Sequence, residues 1–250
     1  MENIEQYTLE EFEEFAKGIK KASDILKSEK PDYIFAPVIG AVPFVDLFFI
    51  SDRHFNLGSV EYPPNSSRIR ERSKIMSHWY KKFLEENYHG EKMEITCIDE
   101  VISGASAVKG YQEFRKALYE FGQDKKERLE KKIKYKILGI GEKPMNGDRN
   151  HTIKKLINSK IARIVDVKNI ITADNVNLNP VRLKVEKTTM DGRHIYSPKI
   201  EKFYVSGDYL TLLQNFASYV GSDPSKVTTQ NLGKMTDSLE RYLLGYKSEK

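Results

Sequence analysis

Apolar positions along the chain follow two different spacings, which alternate from one segment to the next. In segment 8–30 they recur every three to four residues, and Thr8 with Glu11 forms a capping box, so this segment is predicted to be a helix. The recurring apolar residues are Phe12, Phe15, Ile19, Ala22 and Leu26. Segment 31–44, PDYIFAPVIGAVPF, is instead a continuous apolar run, which is typical of a strand that is covered on both faces.

The same alternation continues to residue 174. Helices are predicted for 45–55, for the second half of 65–90 and for 105–121, and strands for 57–64, 94–99, 131–141 and 161–174. Strands that alternate with helices indicate parallel strands joined by crossover connections. The expected fold is therefore an α/β fold, with an open and mostly parallel sheet that is flanked by helices.

The last part of the chain has a different pattern. Segments 208–221 and 223–246 both have apolar residues at helical spacing, and Pro224 suits a first helical turn that is capped by Ser222 or Asp223. We therefore expect a main domain over 1–205 and a C-terminal helical appendage over 206–250.

Composition narrows the class of protein. Hydrophobic residues make up 39% and charged residues 31% of the 250 residues, which is enough apolar material for a core and argues against disorder of the whole chain. The net charge of +5 favours anionic ligands. Because this excess is small and acids are interspersed throughout, nucleic acid is not expected as a partner.

The cysteine content and the N-terminal segment indicate in which cellular compartment the protein is expected. The single cysteine, Cys97, excludes an internal disulfide, suits a reducing compartment and is expected to be a core residue. The first twenty residues are too acidic and polar for a signal peptide, and no uncharged apolar run reaches membrane-spanning length. We therefore expect a cytoplasmic protein without a membrane partner.

The segment MEITCIDEVISGASAVKGYQEFRKAL, residues 93–118, carries the candidate chemistry. It reads as a strand that ends in Asp99 and Glu100, followed by a turn of small residues and a helix. The small residues are Ser103, Gly104, Ala105 and Ser106. A helix N-terminus offers backbone N–H groups and a partial positive charge, and small residues let a phosphate approach them. A carboxylate beside such a cradle suits a sugar phosphate, although an ordinary turn between a strand and a helix has the same elements.

This segment resembles the phosphoribosyl-pyrophosphate motif of type I phosphoribosyltransferases, and the resemblance extends from Pro31 to Gly139. The SGAS turn matches the loop of that motif. The run YIFAPVIGAVPF looks like the family's first core strand and pyrophosphate loop, with Ile39, Gly40 and Ala41 in the loop. The segment SVEYPPNSSRIRERSKI looks like a second strand followed by a hood over the active site. Its basic candidates are Arg68, Arg70 and Lys74.

The resemblance implies a reaction and a set of roles. A phosphoribosyltransferase displaces pyrophosphate from the anomeric carbon of phosphoribosyl pyrophosphate with a nitrogen nucleophile of a nucleobase-like acceptor. Asp99, with Glu100 as helper, would hold the ribose hydroxyls directly or, in the case of Asp99, through Mg²⁺, which is the implied cofactor. The SGAS turn would bind the 5′-phosphate. A homodimer is a further expectation by resemblance, and the domain over 1–205 would be the phosphoribosyltransferase-like one.

The sequence departs from the family's pattern at the two acids. Counted back from the SGAS turn with the usual three-residue spacer, Asp99 is the second acid and Ile98 stands where the first should be. In the other register Asp99 and Glu100 are the pair, and the spacer is one residue shorter. Losing one acid would weaken sugar binding, so a catalytically silent nucleotide sensor or regulatory protein of the same fold stays an alternative. Nucleic-acid binding is the third hypothesis.

Overall fold

The structure is a computed structural model of the whole chain. It describes residues 7–37, 40–51, 59–64, 72–101, 104–125, 128–141, 151–173, 175–190 and 193–228. The described helices are α1 (Leu9–Glu29), α2 (Val42–Ser51), α3 (Arg72–Asn87), α4 (Ala105–Asp124), α5 (His151–Asn158) and α6 (Gly207–Tyr219). The described strands are β1 (Tyr33–Phe35), β2 (Ser59–Glu61), β3 (Met93–Glu100), β4 (Ile133–Gly141), β5 (Ala162–Asp166), β6 (Val181–Met190) and β7 (Arg193–Phe203).

The first five strands form one sheet in the order β2-β1-β3-β4-β5, and every neighbouring pair is parallel. The chain adds β2 on one side of β1 and then crosses over to add β3 on the other side. In open sheets of this kind, ligands bind beyond the carboxyl ends of the strands at the point where the order reverses. That point lies between β1 and β3. The expectation of a parallel sheet flanked by helices is confirmed.

Helices cover both faces of the sheet and form two buried clusters. One cluster joins α1, α2 and α6 to one face, where it includes Ile98 of β3. The other joins α3, α4 and α5 to the opposite face, where it includes Cys97. The burial of Cys97 confirms the prediction that it is a core residue. No helix among the described residues is long and apolar enough to cross a membrane.

The capping box at the start of α1 is present as predicted. The backbone N–H of Glu11 donates to the Thr8 hydroxyl, and the Glu11 carboxylate accepts from the Thr8 backbone N–H at 2.8 Å. All five apolar residues that were expected to form the inner face of this helix are buried, and four of them are fully so. Helix α1 therefore follows directly from its local sequence.

The strands β6 and β7 were not predicted from the sequence. They form a separate antiparallel pair, in which Met190 is opposite Arg193 and Val181 is opposite Phe203. The signals for this hairpin are the alternation of Val181, Leu183 and Val185 and the Asp191–Gly192 dipeptide, a common hairpin turn. The two turn residues lie outside the described residues.

Helix α6 confirms the first of the two helices that were predicted near the C-terminus. Its buried residues belong to the same cluster as those of α1 and α2. Asp223 caps a short 3-10 turn, Pro224–Lys226, with Pro224 at its start as expected. Residues 227 and 228 are not helical, and residues 229–246 of the second predicted helix lie outside the described residues. The division of the chain at residue 205 stays a prediction.

Candidate functional site

Two loops begin at the carboxyl edge of the sheet between β1 and β3. The first joins β1 to α2 and contains Gly40 and Ala41, and the second joins β3 to α4. Phe35, the last residue of β1, is paired with Cys97, so β3 extends three residues further than β1. The tip of β3, which carries both acids, therefore stands beside the β1–α2 loop.

Gly40 and Glu100 lie directly against each other. A β-carbon built on Gly40 would lie 3.1 Å from Oε2 and 3.4 Å from Cβ of Glu100. Both residues are partly exposed. Glycine at position 40 therefore lets the Glu100 side chain lie on the backbone of the loop, at a surface that a ligand can reach.

Asp99 lies on the opposite face of β3 from Glu100, because adjacent residues of a strand alternate between faces. Asp99 shares its face with Cys97, and Glu100 shares its face with Ile98. Only 5% of Asp99 is exposed, and its Oδ2 has no hydrogen-bond partner among the described residues. Burial, together with the nearby negative charge of Glu100, raises the pKa of Asp99 to about 7. Of the two acids, Glu100 is therefore the one that meets solvent.

Helix α4 begins five residues after Glu100, the last residue of β3. Its cap is Gly104, which has a φ of +73° and provides no capping side chain. Ala105 is exposed and Ser106 is half-buried, so the first turn is accessible. A β-carbon on Gly104 would lie 2.9 Å from Cγ1 of Ile153, so the glycine also allows α5 to pack closely. The first turn of α4 thus offers a small, positively polarised surface.

The remaining candidates divide into two groups. Lys74 is exposed in the first turn of α3, and Ala41, the last residue of the β1–α2 loop, is buried. The candidates that lie outside the described residues are Ile39, Arg68, Arg70 and Ser103. The structure therefore brings Gly40 and Glu100 together, and α4 begins five residues after Glu100.

One buried acid near this edge was missed by the sequence analysis. Asp46 lies on α2, six residues after Gly40, and is 3% exposed. Its Oδ2 accepts a 2.6 Å hydrogen bond from the hydroxyl of Tyr209 on α6. Burial raises the pKa of Asp46 to about 8, although this hydrogen bond lowers it. The available signal was a single carboxylate inside the apolar run VPFVDLFFIS.

The donor set at the strand tip is compatible with Mg²⁺ bound together with a substrate. Among the described residues there is no group of three or more His, Cys, Asp or Glu side chains that could hold a metal ion alone. Mg²⁺ commonly uses one or two carboxylates and completes its shell with water and substrate phosphates. Glu100, a partly exposed carboxylate at the strand tip, fits that arrangement better than the buried Asp99.

Comparisons with known proteins give no relative on which to base a function. No protein-family model matches the chain, no curated protein matches it, and no solved structure matches it. We therefore infer the function from the geometry of the edge between β1 and β3.

Proposed function

We propose that the protein binds phosphoribosyl pyrophosphate or a nucleoside 5′-monophosphate at the edge between β1 and β3, and that it transfers the phosphoribosyl group to or from a nucleobase-like acceptor. The observation that carries this proposal is the contact between Gly40 and Glu100. It places the partly exposed Gly40 of the β1–α2 loop against a carboxylate, and α4, whose first turn carries small residues, begins five residues further along the chain. A ribose that carries a 5′-phosphate and a pyrophosphate needs one partner for the hydroxyls and one for each of these two groups, which the carboxylate, the helix N-terminus and the loop would provide.

Each feature has a proposed partner on the ligand. The Glu100 carboxylate accepts hydrogen bonds from the ribose hydroxyls, and the buried Asp99 supports the strand tip behind it. The N–H groups at the start of α4 and the hydroxyls of Ser103 and Ser106 bind the 5′-phosphate. The backbone of the β1–α2 loop, Ile39 to Ala41, approaches the pyrophosphate. Arg68 and Arg70, from the segment before α3, and Lys74, in the first turn of α3, supply positive charge to the pyrophosphate.

In the proposed reaction, the bond between the anomeric carbon and the pyrophosphate oxygen breaks while a ring nitrogen of the acceptor bonds to that carbon. The electron pair of the broken bond leaves with pyrophosphate, and the acceptor nitrogen loses its proton to solvent. Mg²⁺, when bound with Glu100 and the substrate oxygens, would neutralise charge on the leaving group. The role of Glu100 is to fix the sugar while positive charge develops on it.

A second candidate is a nucleotide-binding protein of the same class without transfer activity. The observation that favours it is the placement of Asp99 and Glu100 on opposite faces of β3, which leaves one carboxylate at the accessible edge. Such a protein would bind the ligand with little turnover, because one acid gives a weaker hold on the ribose than two.

Calorimetry and a pyrophosphate assay test the proposal and separate the two candidates. Titration with phosphoribosyl pyrophosphate and Mg²⁺, and with a panel of nucleoside 5′-monophosphates, should give saturable binding to a single site. Pyrophosphate release with one base of an acceptor panel supports the transferase, and binding without release supports the silent binder. If none of these ligands binds, both candidates are wrong.

A further inference from the structure

Strand β5 forms one end of the parallel sheet, and its outer edge pairs with no other strand of the described part of the chain. The backbone C=O of Ile161 and the backbone N–H of Val167 both bond to β4. Because successive residues of a strand turn their backbone groups to opposite sides, Ala162 and Ile164 turn theirs away from β4. Among the described residues these outward N–H and C=O groups have no backbone partner.

A groove of about 680 Å³ runs along the amino half of this edge. Its apolar lining includes Ile157 of α5 and Ile164 of β5, and both side chains are partly exposed. An open strand edge beside an apolar groove is the arrangement that binds an extended peptide as an additional strand, since the edge offers hydrogen bonds and the groove accepts side chains.

The two faces of β5 differ in chemistry beside this edge. Arg163 is paired with Leu138, which belongs to the buried cluster under α1, so Arg163 lies on the α1 face, where it is exposed. Ile164 shares the other face with Ala162, which belongs to the cluster under α3, α4 and α5. A strand that pairs with β5 would therefore meet a cation on one face and apolar side chains on the other.

The charged residues of the groove favour an acidic partner. They are Lys136, Lys160 and Arg163 together with Glu29, which lies 3.8 Å from Lys136. Lys160 and Arg163 are exposed and have no ion-pair partner among the described residues. Asp166 lies at the carboxyl end of β5, on the face of Ile164 and away from Arg163. A second copy of the chain would add the same cations to the groove, which repulsion between like charges disfavours.

We propose that the outer edge of β5 binds an extended acidic segment of a partner protein, which joins the sheet as an additional strand. The segment alternates acidic and apolar residues. Its acidic side chains lie on the face of Arg163, and its apolar side chains contact Ile157 and Ile164 on the other face. Hydrogen bonds to the backbone of Ala162 and Ile164 provide affinity, and the alternating side chains provide specificity.

Fluorescence anisotropy with a labelled peptide of about nine residues, in which Glu and Val alternate, tests the charge part of the proposal. In 100 mM salt the wild type should bind this peptide saturably, and a peptide of alternating Lys and Val at least ~10-fold more weakly. Lys160→Gln/Arg163→Gln should bind the acidic peptide about 5- to 30-fold more weakly, because two charge contacts are lost. The control Lys17→Gln/Lys21→Gln removes the same charge from the exposed face of α1 and should bind like the wild type.

Ile164→Pro tests the strand pairing. It removes an N–H that points away from β4, so the hydrogen bonds between β4 and β5 remain, and peptide binding should weaken at least ~5-fold. Ile164→Val keeps the N–H and should stay within about twofold of the wild type.

A measurement on the peptide avoids any effect of proline on folding. Two versions of the acidic peptide carry N-methyl groups, one on its valines and the other on its glutamates. Because the N–H groups of only one set can face β5, one version should lose at least ~10-fold in affinity while the other retains it. If Ile164→Pro lowers the thermal unfolding temperature, these two peptides decide the question of pairing.

Four binding results would overturn the proposal. They are no binding of the acidic peptide by the wild type, equal affinity for the acidic and basic peptides, equal losses in the two charge variants, and full binding by both methylated peptides. A wild-type dimer in analytical ultracentrifugation that Ile164→Pro dissociates would also overturn it, because a second copy would then cover the edge of β5.

Discussion

The hydroxyl of Tyr209 donates a 2.6 Å hydrogen bond to Oδ2 of Asp46, and both side chains are buried between α6 and α2. The pKa of Asp46 rises from 3.8 to about 8, because burial disfavours the ionised carboxylate more than the hydrogen bond favours it. Between these two pH values the folded protein holds a proton that the unfolded chain has lost. The contribution of Asp46 to stability therefore decreases as the pH rises from about 4 to about 8 and is constant above that range.

Asp46→Asn should remove this dependence on pH. At pH 8 and above the variant should be more stable than the wild type by about 3–6 kcal/mol, because each pH unit between the two pKa values costs the wild type about 1.4 kcal/mol and the neutral amide carries no such cost. At pH 5 the gain should be only about 1–2 kcal/mol, because this pH is about one unit above the pKa of the unfolded chain and the amide oxygen can still accept from Tyr209. Urea unfolding at pH 5, 7 and 9 measures the difference.

Tyr209→Phe is the matched control for that experiment. It leaves the Asp46 carboxyl buried without its donor, so it should destabilise the protein by about 1–3 kcal/mol at neutral pH, and by more as the pH rises. A stability difference between Asp46→Asn and the wild type that is the same at all three pH values would contradict the raised pKa.

Gly104→Ala should destabilise the fold at the start of α4. The alanine would have to adopt a φ of +73°, and its β-carbon would meet Ile153 at 2.9 Å. Gly90 provides the control, because it has a φ of +94° but no atom within 4 Å of the added β-carbon. Gly90→Ala should cost about 1 kcal/mol for backbone strain alone, and Gly104→Ala about 2–4 kcal/mol. Equal losses in chemical denaturation would show that Ile153 does not pack against Gly104.

Replacement by alanine of two glycines inside helices should change the stability of the protein in opposite directions. In α4, a β-carbon on Gly110 would make an ordinary contact at 3.5 Å with the Tyr80 hydroxyl, so Gly110→Ala should stabilise by about 0.5–1 kcal/mol. In α1, a β-carbon on Gly18 would overlap Cγ2 of Val167 at 2.3 Å. Gly18→Ala should therefore destabilise by about 1–3 kcal/mol. Thermal unfolding of both variants checks the packing of α1 on the end of β5, and a stabilising Gly18→Ala would contradict it.

The sequence predicts the parallel sheet and its helices well, because the patterns that indicate these helices and strands are local. The capping box at Thr8, the apolar runs of the strands and the helical spacing in α4 each depend on residues a few positions apart. The hairpin β6–β7 was missed although its alternation is local, because no helix or strand was assigned to residues 175–207.

The geometry of the site is less predictable, because it depends on pairs that are distant in sequence. Asp46 and Tyr209 are 163 positions apart, and no local pattern links them. Gly40 and Glu100 meet only because β3 crosses to the far side of β1. From the sequence, Asp99 was expected to hold the ribose hydroxyls with Glu100 as helper, and whether these two form the acid pair was left open. The alternation along β3 puts Asp99 in the core and leaves Glu100 at the accessible edge.

The most direct test of the proposed site is the calorimetric affinity for phosphoribosyl pyrophosphate with Mg²⁺, measured for the wild type, Glu100→Gln and Glu85→Gln. Glu85 is an exposed acid on α3 and serves as the charge control. Glu100→Gln should have an affinity about 10- to 100-fold lower than the wild type, because the ribose hydroxyls lose their hydrogen bonds to a carboxylate. Glu85→Gln should have the affinity of the wild type. Equal affinities of Glu100→Gln and the wild type, or no binding by the wild type, would contradict a sugar-phosphate site at the contact between Gly40 and Glu100.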